Sequence, residues 1–293
     1  MIHFIEEPRP DYLKISMKAF AGEMASANER TKSQIIRDAF FEAFNVSFSD
    51  LKRDNSFQLF EKNGANLVIK KMNNAHDLTL KGFFWLQLKA YQKVKIFLHQ
   101  IALHGIDFKI QRLDIRRNFQ ADRVEEPMAD IRKGFWINKS SAESFFYPET
   151  LIRGKKESVG SSFRSSQFHI NTYDKSDQMK SLEKRIQRLK KEDKKERLKV
   201  QINRHKELYA DKVIYRFEIK LLESNNADNF RQVLALKANE TEFCQSVLTA
   251  FYGSYPMKRA KEESKNYKLF FQGGIYEKKQ RRTPRSNKSN SKN

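Results

Sequence analysis

The chain of 293 residues is poor in cysteine, proline and glycine, with one, six and ten of them, respectively. Its single cysteine, Cys244, excludes a disulfide scaffold and a zinc site built from thiolates, and it fits a reducing compartment. So few prolines and glycines exclude collagen-like and Pro/Gly-rich low-complexity proteins. No apolar run approaches the roughly 18 residues of a membrane span, and the start does not read as a signal peptide. We therefore expect a soluble, cytoplasmic protein.

Several catalytic motifs are also missing. The sequence has no Gly-x-x-x-x-Gly-Lys-Ser/Thr loop, no Gly-x-Ser-x-Gly elbow and no His-Glu-x-x-His helix, which excludes P-loop ATPases, typical serine hydrolases and zinc proteases of those classes. Its six histidines never form a His-x-His pair, so a metal centre on a paired-histidine strand is excluded as well.

Positive charge and phenylalanine are abundant. The chain has 57 Lys+Arg against 36 Asp+Glu, hence a net charge of +21, and 24 of its residues are Phe. The phenylalanines can fill a core, so wholesale disorder is excluded. A surplus of this size predicts a polyanionic partner, most often nucleic acid.

The charge is concentrated in two segments. Residues 176–212 have a net charge of +6, residues 277–293 another +6, and the rest of the chain keeps +9. Apolar residues at helical spacing predict a projecting helix or helical hairpin over 176–212. The end of the chain is rich in Ser, Asn, Lys and Arg, and we expect it to be disordered. Either segment can bind phosphates or be a solvated surface, and the second interpretation is favoured for the helix.

Hydrophobic periodicity elsewhere mixes strands with helices, which predicts an α+β fold: a mainly antiparallel sheet with helices on one face and a charged helical insertion. The predicted elements are a strand over 10–20, a helix over 28–44, strands over 65–70 and 77–82, a helix over 84–104 ending before Gly105, and a helix over 229–247.

Three further strands, over 109–119, 168–175 and 213–221, alternate with period two. Since residues i and i+2 share a face of a strand, each has one apolar and one polar face. The polar faces carry Arg112, Asp114, Arg116 and Asn118; His169, Asn171, Tyr173 and Lys175; and Arg216, Glu218 and Lys220.

An Arg-apolar-acid pattern occurs on two of these strands, as Arg112-Leu113-Asp114 and as Arg216-Phe217-Glu218. Two such carboxylates on neighbouring strands can hold a hard divalent cation, and the guanidinium groups suit phosphate. Cross-strand salt bridges on a solvated sheet face explain the same pattern, and the pattern alone favours them.

Tyr173 is the most suggestive single residue, because a tyrosine beside a cation can act as a nucleophile. Lys175 on the same face, or a metal held by Asp114 and Glu218, can stabilise its phenolate. His169 can be a metal ligand or a proton carrier. Considered singly, a packing role is favoured for Tyr173 and a surface role for His169.

The order of these strands resembles the replication initiation factor (Rep_trans) family, the rolling-circle initiators of plasmids and filamentous phages. The resemblance extends from about residue 65 to about residue 222. It rests on Arg112-Leu113-Asp114-Ile115, a loose Thr-x-x-x-Gly-x-x-x-Ser match over 150–158, Tyr173-Asp174-Lys175 and Tyr215-Arg216-Phe217-Glu218-Ile219. The family often has a second Asp where this chain has Asn118.

The resemblance implies a nicking–closing enzyme, in which a tyrosine attacks one strand of origin DNA and stays linked to the 5′ phosphate. It implies Tyr173 as the nucleophile, with Tyr147, Tyr209 and Tyr215 left open. Asp114, Glu218 and His169 are then candidate ligands of Mg²⁺ or Mn²⁺, and the catalytic candidates beside Tyr173 are Lys175, Arg112 and Arg216.

The same interpretation assigns DNA contacts, domains and partners. The DNA-binding candidates are Arg116, Arg117, Lys155, Lys156, Arg164, Lys220, Arg281 and Arg282. The expected parts are an N-terminal region (1–64), a nicking and DNA-binding domain (65–255) and a basic tail (256–293). The implied partners are unwound origin DNA, a host helicase and polymerase, and a second copy of the chain. Two alternatives stay open: a non-enzymatic nucleic-acid-binding regulator, and a structural protein that binds a partner through 176–212.

Overall fold

Segments in which apolar and polar residues alternate form a large antiparallel sheet in the computed structural model. The structure describes residues 2–18, 30–47, 51–53, 57–70, 75–121, 136–137, 147–148, 160–164, 168–209, 212–222, 237–254, 257–259, 262–263 and 270–271. The strands are β1 (Ile2–Phe4), β2 (Arg9–Lys18), β3 (Leu51–Arg53), β4 (Phe57–Lys62), β5 (Ala65–Lys70), β6 (Ala75–Lys81), β7 (Phe108–Ala121), β8 (Trp136–Ile137), β9 (Tyr147–Pro148), β10 (Gly160–Arg164), β11 (Phe168–Asp174), β12 (Tyr215–Leu222), β13 (Met257–Arg259) and β14 (Glu262–Glu263).

The long strand β7 lies in the middle of this sheet. The strand order is β3-β4-β5-β6-β2-β7-β12-β11-β10-β9, and β1 pairs with the far end of β7. Strands β8, β13 and β14 form a separate small sheet. The three strands with predicted polar faces, β7, β12 and β11, are therefore direct neighbours, and the antiparallel sheet with its helices confirms the α+β prediction.

The helices outside residues 175–209 cover the apolar face of the sheet. The helices are α1 (Lys32–Phe44), α2 (Gly82–Trp85), α3 (Ala90–Leu103), α4 (Lys175–Ile186), α5 (Glu192–Tyr209) and α6 (Glu240–Ser254). Phe44 of α1 contacts Phe97 of α3 at 5.9 Å between ring centroids, and Phe251 of α6 lies edge-on to Phe168 of β11 at 4.8 Å. These aromatic contacts join α1, α3, α6 and the sheet into one core.

Two predicted helices have different bounds in the structure. The helix predicted over 84–104 is interrupted: α2 ends at Trp85, and Lys89 adopts the left-handed conformation (φ 63°) before α3 begins. The helix predicted over 229–247 begins, within the described residues, at Glu240, where the Asn239 side chain accepts a hydrogen bond from the Glu242 backbone N–H at 2.9 Å.

The segment 176–212 forms the predicted hairpin of two helices, α4 and α5. Met179 and Ile202 are its buried apolar residues, and Lys206 pairs with Glu183 across the helices at 2.6 Å. Its first residue corrects one prediction, since Lys175 begins α4 and does not end strand β11.

Residues from the predicted N-terminal region and from the predicted tail contribute to the main sheet and its core. Strand β2 lies between β6 and β7, so the 1–64 region shares one sheet with the predicted nicking domain. From the predicted tail, Phe270 and Phe271 are fully buried. Among the described helices, none has the length and apolar character that a membrane crossing requires.

Candidate active site on the polar face of the sheet

The register of β11, β12 and β7 brings the predicted polar residues together. Tyr173 lies opposite Arg216, which lies opposite Asn118. The next polar row is Asn171, Glu218 and Arg116, and the row after it is His169, Lys220 and Asp114. The register between these antiparallel strands pairs polar positions with polar positions, without a shift. The period-two patterns therefore place all these side chains on one face of the sheet.

Tyr173 and Glu218 are joined by a hydrogen bond. The Tyr173 phenol donates to Oε2 of Glu218 at 3.1 Å, and Lys220 Nζ lies 3.3 Å from Oε1 of the same carboxylate. Burial raises the pKa of the Tyr173 phenol, and the neighbouring Glu218 and Asp11 carboxylates raise it further, although Arg216 opposes them. The phenol therefore stays protonated, with its proton directed at a carboxylate.

Asp11 ties two arginines of the face together. Its Oδ1 accepts a hydrogen bond from Arg116 at 3.0 Å and lies 3.8 Å from Nη1 of Arg216. The ladder between β2 and β7 shifts register between Pro10 and Tyr12, and this bulge turns Asp11 towards the polar face. Burial raises the pKa of Asp11, but Arg116 and Arg216, together with Lys175 and Lys220, more than offset it, so that the pKa is lowered overall.

Arg216 is a buried cation of the site, 5% exposed, and its Nε donates to Asn118 Oδ1 at 2.9 Å. Asn118 in turn donates to the Tyr209 hydroxyl at 3.0 Å, and that hydroxyl donates to Glu6 at 3.2 Å. Tyr209 is the last residue of α5, so this chain of hydrogen bonds fastens the helical hairpin to the sheet.

Lys175 and His205 complete the site from the hairpin. The Lys175 backbone N–H bonds the Ile214 carbonyl at 2.7 Å, while its Nζ lies 5.9 Å from the centre of the Tyr173 ring and donates to Gln178. Burial, with Arg216 nearby, holds the pKa of Lys175 well below its usual value. Burial, together with the positive charges of Lys175 and Arg216, lowers the pKa of His205 to about 4. His205 is thus neutral at physiological pH.

Arg112 and Asp114 form a tight pair at the other end of the face. Arg112 donates from Nε to Oδ1 at 2.7 Å and from a terminal nitrogen to Oδ2 at 2.5 Å, and its guanidinium lies 4.4 Å from the Tyr12 ring centre. Burial, with the Glu218 carboxylate nearby, raises the pKa of Asp114 overall, although Arg112 opposes the rise. The pair lies within strand β7 and Asp114 is 3% exposed, so this salt bridge is neither cross-strand nor on a solvated face.

The three residues predicted as metal ligands, Asp114, Glu218 and His169, are not grouped together on the face. Asp114 is bonded by Arg112 and Glu218 by Lys220 and Tyr173, and Lys220 stands between Asp114 and His169 in the ladder. Within the part of the chain that the structure describes, no three His, Cys, Asp or Glu side chains are grouped to hold an ion.

Arg117 does not join the site. It lies on the opposite face of β7, 3% exposed, with its guanidinium 3.8 Å from the Phe4 ring centre, and Tyr215 is buried on that same face. Arg164 lies in β10 and Tyr147 in β9, and the structure describes only the backbone of these two residues. The remaining predicted DNA contacts, Lys155, Lys156, Arg281 and Arg282, lie outside the described residues.

Sequence reasoning missed Glu6, Asp11 and His205. The bulge explains why Asp11 was not predicted, since strict alternation along the strand would put Asp11 on the apolar face with Leu13. Glu6 precedes the predicted strand, and His205 lies in a segment whose charge suggests a solvated helix. None of the three has a local sequence signal that separates it from a surface residue.

Comparison with known proteins gives a likeness of fold. The solved structure of the rolling circle replication initiator protein from Geobacillus stearothermophilus is similar to this chain with a TM-score of 0.51 and 11% sequence identity, over 90% of this chain and 95% of that one. No protein-family model matches the sequence, and no curated protein matches it. At this identity, the likeness establishes the shared architecture.

Proposed function

We propose that this protein initiates rolling-circle DNA replication by nicking one strand of its origin, with Tyr173 as the nucleophile. The observation that carries the proposal is the Tyr173–Glu218 hydrogen bond on a face that also holds Arg216. The shared fold with a replication initiator and the net charge of +21 support the same conclusion.

The proposed step uses Glu218 as the base. As the Tyr173 oxygen attacks the scissile phosphorus, the phenolic proton passes to the Glu218 carboxylate across the existing hydrogen bond. The bond between phosphorus and the 3′ oxygen breaks, and the leaving oxygen takes a proton from water. The products are a tyrosine–5′-phosphodiester and a free 3′ hydroxyl. Arg216, beside Tyr173 in the ladder, would neutralise charge that develops on the phosphate.

Covalent labelling tests the nucleophile. The wild-type protein, incubated with labelled single-stranded origin DNA, should form an adduct that survives denaturing electrophoresis, and Tyr173→Phe should abolish it. Tyr215→Phe is the matched control, because Tyr215 is buried on the opposite face and should leave the adduct intact. An adduct formed by Tyr173→Phe but lost in Tyr209→Phe would transfer the role to Tyr209.

A requirement for Mg²⁺ or Mn²⁺ remains a prediction, and none of the proposed chemical steps uses a metal ion. Repeating the labelling reaction in excess chelator, and then with each metal restored, measures the requirement directly. Adduct formation that is equal in chelator and in metal would remove the cofactor from the proposal.

A non-enzymatic nucleic-acid-binding regulator is the second candidate. One observation favours it: Asp114 and Glu218 are each paired with a cation, and the pKa of Tyr173 is raised. This alternative expects salt-sensitive binding of DNA or RNA with no covalent product under any metal.

A further inference from the structure

The helical hairpin, α4 and α5, has two chemically different ends. At its root, Tyr209 bonds Asn118 and Glu6, and the Ser176 hydroxyl accepts from the Ile214 backbone N–H at 3.0 Å. At the opposite end lies the segment 184–199, here called the hairpin tip. The root is thus bound to the candidate active site, while the tip stands away from it.

The whole charge surplus of the hairpin lies in its tip. Residues 184–199 include nine Lys or Arg and three Asp or Glu, a net charge of +6, whereas the rest of 176–212 is neutral overall. Two ion pairs are present, Lys195–Glu192 and Lys199–Glu196. Six exposed tip cations have no carboxylate partner among the side chains that the structure describes: Lys184, Arg185, Arg188, Lys190, Lys191 and Lys194.

Stability does not explain this arrangement. Between Met179 and Ile202, no side chain that the structure describes is buried, so the tip adds nothing to the core. Like charges one helical turn apart repel each other, and a net charge of +6 on 16 residues therefore destabilises the tip when it is alone in solution. A polyanion bound to the tip would relieve that repulsion.

The tip lacks what binding to single strands would need. Residues 184–199 include no aromatic side chain on which an unpaired base could stack. Lysine and arginine alone suit phosphates at the regular spacing of a duplex backbone.

The length of the hairpin sets where that duplex would lie. At about 1.5 Å per residue, the turn at Lys190 and Lys191 stands roughly 25 Å along α5 from Tyr209. At about 3.4 Å per base pair, this distance corresponds to roughly 7 base pairs from the active site.

We infer that the hairpin tip binds the phosphate backbone of duplex DNA about 7 base pairs from the nicked phosphate. This inference rests on the proposed function, which supplies the DNA and the position of the nick. The hairpin then acts as an arm that holds the duplex flank while the sheet engages the unwound strand.

The test compares two DNA probes of arbitrary sequence, each with a single-stranded arm of about 10 nucleotides, joined to a duplex of about 4 or about 12 base pairs. The tip variant combines Arg188→Gln, Lys190→Gln and Lys191→Gln, all in the exposed turn where no fold contact is lost. Fluorescence anisotropy at several salt concentrations gives the affinity and its salt slope.

We expect the tip variant to bind the long-duplex probe about tenfold or more weakly and to lose about 2 to 3 from the salt slope, with the short-duplex probe unaffected. The control combines Lys89→Gln, Lys93→Gln and Lys237→Gln, which remove the same charge from the helical side of the sheet. The charge-retaining pair Lys190→Arg and Lys191→Arg should bind like wild type.

Equal losses in the tip and control variants, or equal losses on both probes, would overturn the inference and leave the proposed nicking intact. A wild-type protein that binds neither probe would overturn both. This test measures binding and not cleavage, so its result can be interpreted even if the protein does not nick DNA.

Discussion

At the scale of the residue, the polar face is a network in which most charges already have partners. Arg116 and Arg216 share the carboxylate of Asp11, and Asn118 links Arg216 to Tyr209. The desolvation of so many charges is expensive, and such groups persist where function requires them. Under the proposed function, contacts with DNA phosphates would replace some of these internal pairs.

Asp11→Asn should test this network through stability. We expect a loss of about 2 kcal/mol in the free energy of unfolding at neutral pH, because both arginines lose their counter-charge. Since the folded-state pKa of Asp11 is lowered, its contribution is complete above the ordinary value of 3.8 and disappears as the pH falls through the folded pKa. Urea denaturation of both proteins across this range should show the difference shrinking in acid.

Glu7→Gln is the control for that substitution. Glu7 also approaches an arginine, Arg117, at 4.0 Å, but its side chain is 67% exposed. The substitution should change the unfolding free energy by less than about 0.5 kcal/mol. A deficit of Asp11→Asn that stayed constant down to strongly acidic pH would contradict the charge argument.

Which site residues the sequence can predict depends on local regularity. The period-two patterns of β7, β11 and β12 placed Tyr173, Glu218 and Arg216 on one face because those strands contain no irregularity between them. In β2, the bulge interrupts the period-two alternation at Asp11, and no residue of that strand indicates a bulge from the sequence.

At the scale of the element, the turn between β4 and β5 shows a signal that the sequence did contain. Asn63 and Gly64 both have positive φ, 49° and 83°, as the two central residues of a hairpin turn need. Asn-Gly is the strongest short-range hairpin signal, so β4 was predictable. The break between α2 and α3 was not, since Lys89 adopts its left-handed conformation without a glycine or proline nearby.

Gly64→Ala should destabilise the protein more than a left-handed conformation alone explains. A Cβ on Gly64 would lie 2.7 Å from the backbone nitrogen of Phe84, which cannot move aside as a side-chain end can. We expect a loss of about 2–4 kcal/mol in thermal or urea unfolding.

Gly105→Ala separates the two causes. Gly105 has a φ of +65°, but an added Cβ would meet no atom within 4 Å. Its cost should be about 1 kcal/mol, from conformation alone. Equal losses at the two glycines would contradict the close approach of α2 to the β4–β5 turn.

At the scale of the whole molecule, aromatic rings join distant parts of the chain. Phe270 stacks on Phe217 at 4.8 Å and meets Phe119 at 5.0 Å and Phe4 at 5.5 Å, so the C-terminal segment, β12, β7 and β1 share one cluster. Two adjacent phenylalanines in a polar stretch have no periodicity, and the sequence therefore did not reveal this docking. The sheet order was likewise out of reach, because it depends on long-range pairing.

Phe270→Ala should cost about 3–5 kcal/mol in the free energy of unfolding, because it leaves a cavity among three rings. Phe83→Ala provides the comparison, since Phe83 is 39% exposed and should cost less than about 1.5 kcal/mol. Circular dichroism during chemical denaturation measures both. A loss at Phe270 no larger than at Phe83 would show that the C-terminal segment is not part of the core.

The position of the helical hairpin also bears on how the candidate site assembles during folding. Tyr173 and Glu218 are 45 residues apart in the chain, and closing a flexible loop of that length costs about 2 kcal/mol more entropy than closing a tight turn. Helices α4 and α5 pack against each other and so bring the two ends of this segment together. Once the helical hairpin has formed, strands β11 and β12 can pair at a lower entropic cost, and the proposed nucleophile meets its base.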